Sequence, residues 1–415
     1  MTAAPLDVVI AGAGMPGATL ALALEAGGLK AVLVDPQPFA TQLAETFDGR
    51  ASAISFAAFR QWRALGVAQR LEPVAQPIRQ ILVTDGRSPG ASSGRAGSAF
   101  LRFDAEEIAD RSGGEPLGYL IENRHIRAAL AARVEAAGID VLAPARVGAV
   151  ERGGAARVTL ADGRELTAPL VVGADGRGSL VRREAGIDVV GWGYPQVGVV
   201  ATVDLERDHD GVAYEHFLPS GPFAILPLTG RRASLVWTES VARGAALKAA
   251  RDEVFHVHLR RRFGDFLGAL KAVGPRFVYP LSLQLADRLT APRVALIGDA
   301  GHSVHPIAGQ GLNMGLKDVA ALAEVLIDAA RLGEDLGSEG VLERYARWRG
   351  VDNLAVTLAT DAFTRLFSND NPALRAARGI GLRAVNAVGP ARRFFMAEAG
   401  GATGDLPRLM RGETA

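Results

Sequence analysis

Residues Arg293–Asp318 read RVALIGDAGHSVHPIAGQGLNMGLKD, a short apolar run followed by a glycine-rich turn and a helical pattern. Val294–Ile297 is typical of a buried parallel strand, and it ends at Gly298 and Asp299. Apolar side chains then recur at helical spacing from Leu312 onward. This order places backbone N–H groups at the positive end of a helix dipole, beside an acid at a strand tip. The pattern suits a ligand with hydroxyls next to an electron-poor or anionic ring, although an ordinary loop with a capping aspartate would look similar.

The N-terminal residues carry the pattern of a dinucleotide-binding turn. Gly12, Gly14 and Gly17 form GxGxxG between an apolar run and a helical pattern, and Asp35 follows a second apolar run. Such glycines allow a tight turn that seats a pyrophosphate at the helix N-terminus, and the acid can accept hydrogen bonds from ribose hydroxyls. The alternative is a chance glycine-rich loop, because the chain contains 49 Gly.

Composition excludes several classes of protein. A chain of 415 residues that is 48% hydrophobic is long enough for two domains, which could be interleaved. The 46 Lys and Arg nearly balance 45 Asp and Glu, which argues against a nucleic-acid partner. The absence of Cys excludes disulfides, thiolate catalysis and the flavin disulfide reductases, and no metal site is expected.

The uncharged run Val8–Leu24 could be mistaken for a signal peptide. It lacks a preceding basic region and contains three glycines and a proline, so we reject that interpretation. No apolar stretch is long enough to span a bilayer. We expect a cytoplasmic protein, which could attach peripherally at the inner face of the membrane.

Residues 298–313 spell GDAxHxxxPxxGQGxN, which resembles the second flavin motif of the single-component aromatic-ring hydroxylases. The variant HPxxGQGxNxG is similar to the ubiquinone-biosynthesis branch of that family, the FAD-dependent 2-polyprenylphenol hydroxylase type. One departure is Gly301, where the family usually has Ala. The resemblance implies that Asp299 binds the ribityl chain of FAD and that the turn Pro306–Asn313 lies beside the isoalloxazine ring. The cofactor-binding positions that it implies in this segment are Gly298, Asp299, Pro306, Gly309, Gln310, Gly311 and Asn313.

Three further stretches resemble motifs of the same family. DGRASAIS at 48–55 implies that Arg50 lies over the flavin and pyrophosphate, and ENRHI at 122–126 places Asn123 and Arg124 near the ribityl chain and phosphate. DGRGSLVR at 175–182 matches DGxxSxxR, whose Asp, here Asp175, serves both FAD and a passing nicotinamide cosubstrate. Taken singly, these residues could equally be a surface Arg, an Asn cap and an Asp-Gly turn. Only one dinucleotide fingerprint is present, so NAD(P)H would bind transiently or a ferredoxin-type donor would replace it, with O₂ as cosubstrate.

Four strand-like runs between Val197 and Ser240 predict an antiparallel sheet in a separate substrate domain. Ala245–Leu270 is predicted to be a helix that covers it. An apolar substrate pocket could be lined by Phe217, Phe223, Leu226 and Trp237, although such residues are more commonly core. His216 is a weak candidate base, since a histidine on a strand is more often scaffold, and the same holds for His209.

The C-terminal residues are predicted to be helical and partly basic. Asn371–Glu398 carries five Arg and one Glu, a net charge of 5 − 1 = +4. Such a segment could contact an anionic membrane surface, or it could pack on its own domain or on another subunit. The predicted division is a FAD-binding domain at 1–71, 105–182 and 280–345, a substrate domain at 72–104 and 183–279, and a C-terminal helical region at 346–415.

The fold class implied is α/β, with a Rossmann-like FAD-binding domain of the para-hydroxybenzoate-hydroxylase-like fold, an interleaved antiparallel-sheet substrate domain and C-terminal helices. The resemblance implies a monooxygenase that hydroxylates the ring of a polyprenylated phenol in ubiquinone biosynthesis through a flavin C4a-hydroperoxide. One alternative is a hydroxylase of small aromatic acids, for which Arg231 and Arg232 are candidate carboxylate ligands. Others are an isoprenoid reductase of the same fold and a non-catalytic flavoprotein scaffold. Other quinone-biosynthesis proteins are possible partners.

Overall fold

The structure is a computed structural model that describes residues 5–44, 48–85, 101–218, 220–305, 309–367 and 385–414. Its strands are β1 (Val8–Ala11), β2 (Ala31–Val34), β3 (Ala51–Ser55), β4 (Gln76–Ile78), β5 (Gln80–Asp85), β6 (Leu101–Asp104), β7 (Gly118–Glu122), β8 (Asp140–Leu142), β9 (Val147–Arg152), β10 (Ala156–Leu160), β11 (Glu165–Ala168), β12 (Leu170–Gly173), β13 (Val189–Leu205), β14 (Val212–Leu218), β15 (Gly221–Leu228), β16 (Arg232–Ser240), β17 (Leu270–Ala286), β18 (Thr290–Ala291), β19 (Val294–Leu296) and β20 (His302–Ser303).

The helices complete the framework. They are α1 (Met15–Ala26), α2 (Phe39–Gln42), α3 (Phe56–Ala64), α4 (Ala68–Leu71), α5 (Ala109–Ser112), α6 (Asn123–Ala136), α7 (Leu180–Glu184), α8 (Val241–Ala249), α9 (Asp252–Phe263), α10 (Gln310–Arg331) and α11 (Glu339–Phe367), followed by Gly389–Ala399 and Arg408–Arg411. Within these ranges, no helix has both the length and the apolar character needed to cross a bilayer.

A six-stranded sheet in the order β18-β19-β12-β1-β2-β8 carries the dinucleotide fingerprint. All its neighbours are parallel except the edge pair β18–β19. Its short strands are buried on both faces, because alternate residues enter two different cores. Val8 and Ile10 pack under the helices, whereas Val9 and Ala11 pack against the three-stranded sheet β9–β11. The α/β class expected from the sequence is therefore what the chain adopts.

The second large sheet has eight strands in the order β20-β17-β13-β16-β15-β14-β5-β6. Its neighbours are antiparallel except for β14 and β5. Helices α8 and α9 cover one face, where Phe255, Leu259 and Phe263 enter the core. The other face approaches the small sheet β3-β7-β4, since β15 lies next to β4 and β7.

Two elements differ from the sequence expectation. The helix predicted at Ala245–Leu270 is two helices, because the backbone is extended at Ala250 and Arg251, and the second helix ends at Gly264 with φ +81°. Strand β17 was not predicted, because Gly274 and two prolines interrupt its apolar pattern. The structure accommodates them with irregular register against β13.

The two large sheets draw strands from interleaved parts of the chain. Strands β5, β6, β13–β17 and β20 form the eight-stranded sheet, and strands before, between and after them in the chain form the parallel one. Strand β4 lies inside the predicted first part of the substrate domain, yet it pairs with β7 next to β3. The domain boundaries themselves stay a prediction.

Candidate active site

The turn between β1 and α1 is shaped by its glycines. Gly12 has φ +108°, and a Cβ there would lie 2.3 Å from the carbonyl oxygen of Ala174. A Cβ on Gly17 would lie 2.0 Å from the oxygen of Gly12, so both glycines are required by close backbone approach. At Gly14, by contrast, no described atom lies within 4 Å of that position. The open space is at the start of α1, where free N–H groups favour an anion.

Asp35 fixes this turn. Its Oδ2 accepts a hydrogen bond from the Ala13 N–H at 2.7 Å, and its Oδ1 accepts one from the Gln37 N–H at 2.8 Å. Each carboxylate oxygen can accept a second hydrogen bond. The acid therefore holds the glycine turn and keeps acceptor capacity, while its role toward a ribose stays a prediction.

Asp175 lies across the turn from Gly12, since a Cβ on that glycine would lie 3.1 Å from the Asp175 nitrogen. Its Oδ2 accepts from the N–H groups of Leu180 and Val181 at 2.7 and 3.3 Å. Its Oδ1 is buried and has no hydrogen-bond partner among the described residues. Because buried polar atoms are almost always satisfied, this oxygen marks a place for a hydrogen-bond donor from a bound molecule.

Asp299 is the exposed acid at the tip of β19. It accepts no hydrogen bond from the part of the chain that the structure describes. Arg50 lies within its electrostatic reach. Burial lowers the pKa of Arg50, but the hydrogen bond and charge of Asp48, with smaller contributions from the charges of Tyr279 and Asp299, raise it overall. The motif residues Arg50 and Asp299, which are 249 positions apart in the sequence, are thus close enough in the fold for their charges to interact.

Asp48 anchors Arg50. The two side chains form a two-pronged ion pair of 2.9 and 3.0 Å, and Asp48 also accepts from Arg127 at 2.6 Å and Asn123 at 2.9 Å. Burial would raise the pKa of Asp48, but these partners hold it well below its usual value. The Arg50 guanidinium lies 4.9 Å from the Tyr279 ring centroid, and its side chain is 51% exposed. The Arg50 guanidinium is bound to Asp48 along one edge and is exposed along the other, an arrangement that suits a diphosphate.

Two predicted cofactor ligands use their amides within the protein. Asn123 donates to Asp48 and accepts from Ser52 Oγ at 2.7 Å. Asn313 donates to the Ala53 carbonyl at 2.8 Å and accepts from the Ser55 N–H at 2.9 Å, as a neighbouring strand would. Both side chains therefore hold β3 in place, and their contact with a cofactor stays a prediction.

The remaining predicted cofactor positions are two glycines with positive φ, the first residues of α10, Arg124 and Pro306. Gly298 and Gly309 have positive φ, at +56° and +63°, and a Cβ on Gly309 would lie 3.1 Å from that of Ala53. Gly311 and Gln310 begin α10, and Arg124 contacts Glu122 at 3.2 Å. Pro306 lies outside the described residues.

Sequence reasoning missed a buried ionic network beneath the Gly298 turn. Asp318 Oδ2 accepts from the Gly298 N–H at 3.1 Å and lies 2.5 Å from His302 Nε2. Asp318 Oδ1 accepts from Arg349 at 2.9 Å and from Asn353 at 3.1 Å. Burial alone would raise the pKa of Asp318, but His302 and Arg349 lower it to about 2. The available signal was an acid in the apolar face of a predicted helix, since Asp318 is adjacent to Val319 and a turn before Leu322.

The substrate-side predictions must be corrected for strand alternation. Phe223 and Trp237 are 0% and 1% exposed and pack with Phe255 under the covering helices. Phe217 and Leu226 belong to clusters on the opposite face of the sheet. Successive residues of a strand point to opposite faces, so the four cannot line one pocket. Phe223 and Trp237 are core.

His216 is also on the helix-covered face. Its Nδ1 lies 2.5 Å from Thr84 Oγ1, its ring is parallel to that of Phe223, and burial lowers its pKa to about 4. This location argues against a base that acts on a substrate at the other face. His209 is scaffold, since its Nε2 lies 2.7 Å from the Leu228 oxygen and its Nδ1 accepts from Gly211.

The two arginines proposed for a small-acid substrate are engaged elsewhere. Arg232 donates to Glu122 at 3.2 Å and to the Thr229 carbonyl. Arg231 donates to the Glu206 carbonyl at 3.0 Å. Both guanidinium groups therefore already donate hydrogen bonds within the protein, which argues against their binding a substrate carboxylate beside the apolar face.

Comparison with known proteins identifies the family. Residues 5–351 match the family described as FAD binding domain. The chain is 46% identical to the ubiquinone hydroxylase UbiL of Rhodospirillum rubrum, over 98% of this chain and 92% of that protein. It is 34% identical to the 3-demethoxyubiquinol 3-hydroxylase of Escherichia coli, over 95% and 98% of the two chains. The chain belongs to the family of FAD-dependent ubiquinone-biosynthesis hydroxylases.

Solved structures agree on the fold. The p-nitrophenol 4-monooxygenase of Pseudomonas putida superposes with a TM-score of 0.77 at 19% identity, over 95% of this chain and 97% of that one. PqsL of Pseudomonas aeruginosa gives 0.74 at 26% identity, over 91% and 99%. The expected fold is thereby confirmed, and the family and relatives named above confirm the expected class, an FAD-dependent monooxygenase.

The described residues fit FAD. The family's cofactor needs donors for its phosphates, acceptors for its hydroxyls and a close backbone approach. The open start of α1 at Gly14 and the free edge of Arg50 meet the first need. The unpaired oxygen of Asp175 and the free carboxylate of Asp299 meet the second. Of these residues, only Asp175 presents a buried atom that a ligand would have to satisfy.

Proposed function

We propose that this chain hydroxylates the aromatic ring of a polyprenylated phenol in ubiquinone biosynthesis. The observation that carries the proposal is the mainly apolar face of the eight-stranded sheet beside the flavin-motif strand β3. Leu226 packs there with Ala51 and Ala53, and the cations that a small aromatic acid would need are engaged elsewhere. The relatives named as ubiquinone hydroxylases support the same conclusion.

In this proposal, bound FAD, once reduced by its electron donor, would activate O₂ so that one oxygen atom enters the ring and the other leaves as water. Arg50 and the start of α1 bind the diphosphate, while Asp299 and Asp175 accept hydrogen bonds from hydroxyl or N–H groups. Asp48, Asn123 and Asn313 keep these groups in place. The apolar face excludes water from the reacting ring, which protects a reactive oxygen donor from loss.

We propose that the electron donor binds only transiently. The sequence contains one dinucleotide fingerprint, so we expect weak NAD(P)H binding that depends on Arg50 or Asp175; a ferredoxin-type donor is the alternative. Equilibrium titration of the FAD-loaded protein with NADH, for wild type and Arg50→Ala, tests this point. A tight second dinucleotide site would contradict it.

We further propose that the C-terminal helices meet the membrane or another quinone-biosynthesis protein. Val351, Leu358 and Phe394 are 77%, 59% and 55% exposed, and this apolar area could be covered by lipid or by a partner. A long-tailed substrate dissolved in lipid would be reached most easily from such a surface. Flotation with anionic vesicles, with and without Leu358→Glu, separates lipid binding from protein contact.

The proposed function is tested with a series of substrates. A tail adds apolar area, and each buried CH₂ contributes about 0.8 kcal/mol. Hydroxylation, followed by mass spectrometry of the product, should therefore become more efficient from a bare phenol to 2-prenylphenol and 2-geranylphenol. Faster hydroxylation of 4-hydroxybenzoate than of every prenylated phenol would contradict the proposal and favour the small-acid alternative.

A further inference from the structure

Glu215 is the feature of the substrate face that the sequence motifs leave unexplained. It lies in β14 between Tyr214 and His216, which both point to the helix-covered face. Alternation along the strand therefore turns Glu215 to the opposite face. Its cross-strand neighbours are Ala224 on β15 and Val83 on β5, so a carboxyl group projects from an apolar stretch of the sheet.

The surroundings of Glu215 place it between the flavin motifs and the C-terminal helices. On one side, Ala213 and Leu226 share a cluster with Ala53, the residue that Gly309 approaches. On the other side, Phe217 packs with Leu366 of α11 and with Val385. A flat ring beside Gly309, with a tail directed toward α11, would pass over Glu215.

No described residue forms a hydrogen bond or an ion pair with Glu215. Its surroundings differ from those of Glu122 and Glu239, which are paired with arginines. Burial raises the pKa of Glu215 to about 8, so the group is mostly a neutral carboxylic acid at neutral pH. A neutral carboxyl offers one donor and an acceptor, and because Glu215 is half-buried with no partner among the described residues, both are available to a bound molecule.

We infer that Glu215 binds the ring oxygen of the substrate and thereby orients the ring toward Gly309. The phenol O–H donates to the carbonyl oxygen of the acid, a hydrogen bond that an aryl ether, which has no proton to donate and is a weak acceptor, does not replace. The inference rests on the proposed function, because it needs a phenol-type ring with an apolar tail. It assigns substrate orientation to one carboxyl rather than to a histidine or to Arg232.

The test removes the hydrogen bond from either partner in turn. Calorimetric titration of oxidised, FAD-loaded protein would compare 2-geranylphenol with its methyl ether, which cannot donate. Wild type should prefer the phenol by about tenfold, the value of one buried hydrogen bond. Glu215→Leu should bind the two ligands within about twofold of each other, and Glu215→Gln, whose amide still accepts, should keep most of the preference. Asp204→Asn is the matched control, because this exposed acid lies in the same sheet.

The outcomes separate this inference from the proposed function. An undiminished preference in Glu215→Leu, or no preference in wild type, would overturn the role of Glu215 while prenylated phenols still bind. Failure of wild type to bind either prenylated ligand, together with tight binding of 4-hydroxybenzoate, would contradict the proposed function itself and the inference with it. Circular dichroism of each variant confirms that a lost preference does not arise from unfolding.

Discussion

The two sides of the site are constructed by different means. On the flavin side, charged groups are held in fixed networks, such as Asp48 with Arg50 and Asp318 with Arg349. On the substrate side, a sheet presents apolar residues and one carboxyl group, Glu215, that no described residue engages. The difference indicates that the flavin side is organised before any ligand binds. The substrate side supplies shape and burial, and leaves a polar contact for the substrate to complete.

The strongest test of the fixed side is to break its buried network. Asp318→Ala leaves Arg349 and His302 without their shared acceptor inside the protein, and loss of one partner of a buried ion pair costs about 3–5 kcal/mol. We expect that loss in the free energy of unfolding, measured with urea, together with weaker FAD retention. Glu343→Ala is the control, because its pairing with Arg347 is exposed and contributes little. A loss below about 1 kcal/mol would show that the network does not support the Gly298 turn.

The next test separates cofactor binding from stability. Asp299 makes no contact that the fold needs, so Asp299→Ala should fold normally and bind FAD more weakly. Loss of a charged acceptor costs about 1.5–3 kcal/mol, or about 10- to 150-fold in Kd. Fluorescence titration of the apoprotein with FAD measures the change, and Asp287→Ala, an exposed acid of the preceding segment, provides the control. Equal affinity in Asp299→Ala and wild type would remove Asp299 from the cofactor site.

The smallest expected effect concerns the carboxyl of the substrate side. The pKa of Glu215 in the folded protein is raised to about 8, above its ordinary value of 4.5, so folding is not penalised below pH 4.5. As pH rises from 4.5 to about 8, the unfolded chain releases this proton while the folded protein retains it, so stability falls progressively, and the loss is complete above about pH 8. Glu215→Gln avoids this loss.

Because the group is only partly shielded, we expect Glu215→Gln to exceed wild type in unfolding free energy by about 1–2 kcal/mol at pH 9 and by almost nothing at pH 4.5. Urea denaturation at the two pH values measures the difference. A constant difference at both pH values would mean that Glu215 titrates normally and lies in water.

The sequence predicted the glycine turn after β1 and the turn after β19 well, because their signals are local. Gly12, Gly14 and Gly17 lie within six residues of one another, and the Asp299 turn directly follows its strand. The buried network was not predicted, since Arg349 is 31 positions from Asp318 and only the fold brings them together. The one indication of this network in the sequence was an acid, Asp318, within the apolar face of a predicted helix.

The substrate side was predicted less accurately, because it depends on which face of a sheet is covered. Phe223 and Trp237 look like pocket residues in the sequence, but α9 packs on their face and makes them core. The same alternation along the strands directs Phe223 and Trp237 to the helix-covered face and Glu215 to the opposite, substrate face. Strand β17 could not be predicted, because Gly274 and two prolines interrupt its apolar pattern. The sheet tolerates these residues because the pairing of β17 with β13 is irregular.

The central claim, that this site transfers oxygen to the ring of a prenylated phenol, is tested most directly by isotope labelling. The FAD-loaded protein would be reduced chemically, mixed with 2-geranylphenol and ¹⁸O₂, and analysed by mass spectrometry after a single turnover, which removes any dependence on the natural electron donor. The account predicts a ring-hydroxylated product that contains one atom of ¹⁸O from O₂. Oxidation of the flavin with the phenol recovered unchanged, while 4-hydroxybenzoate acquires the label under the same conditions, would contradict it.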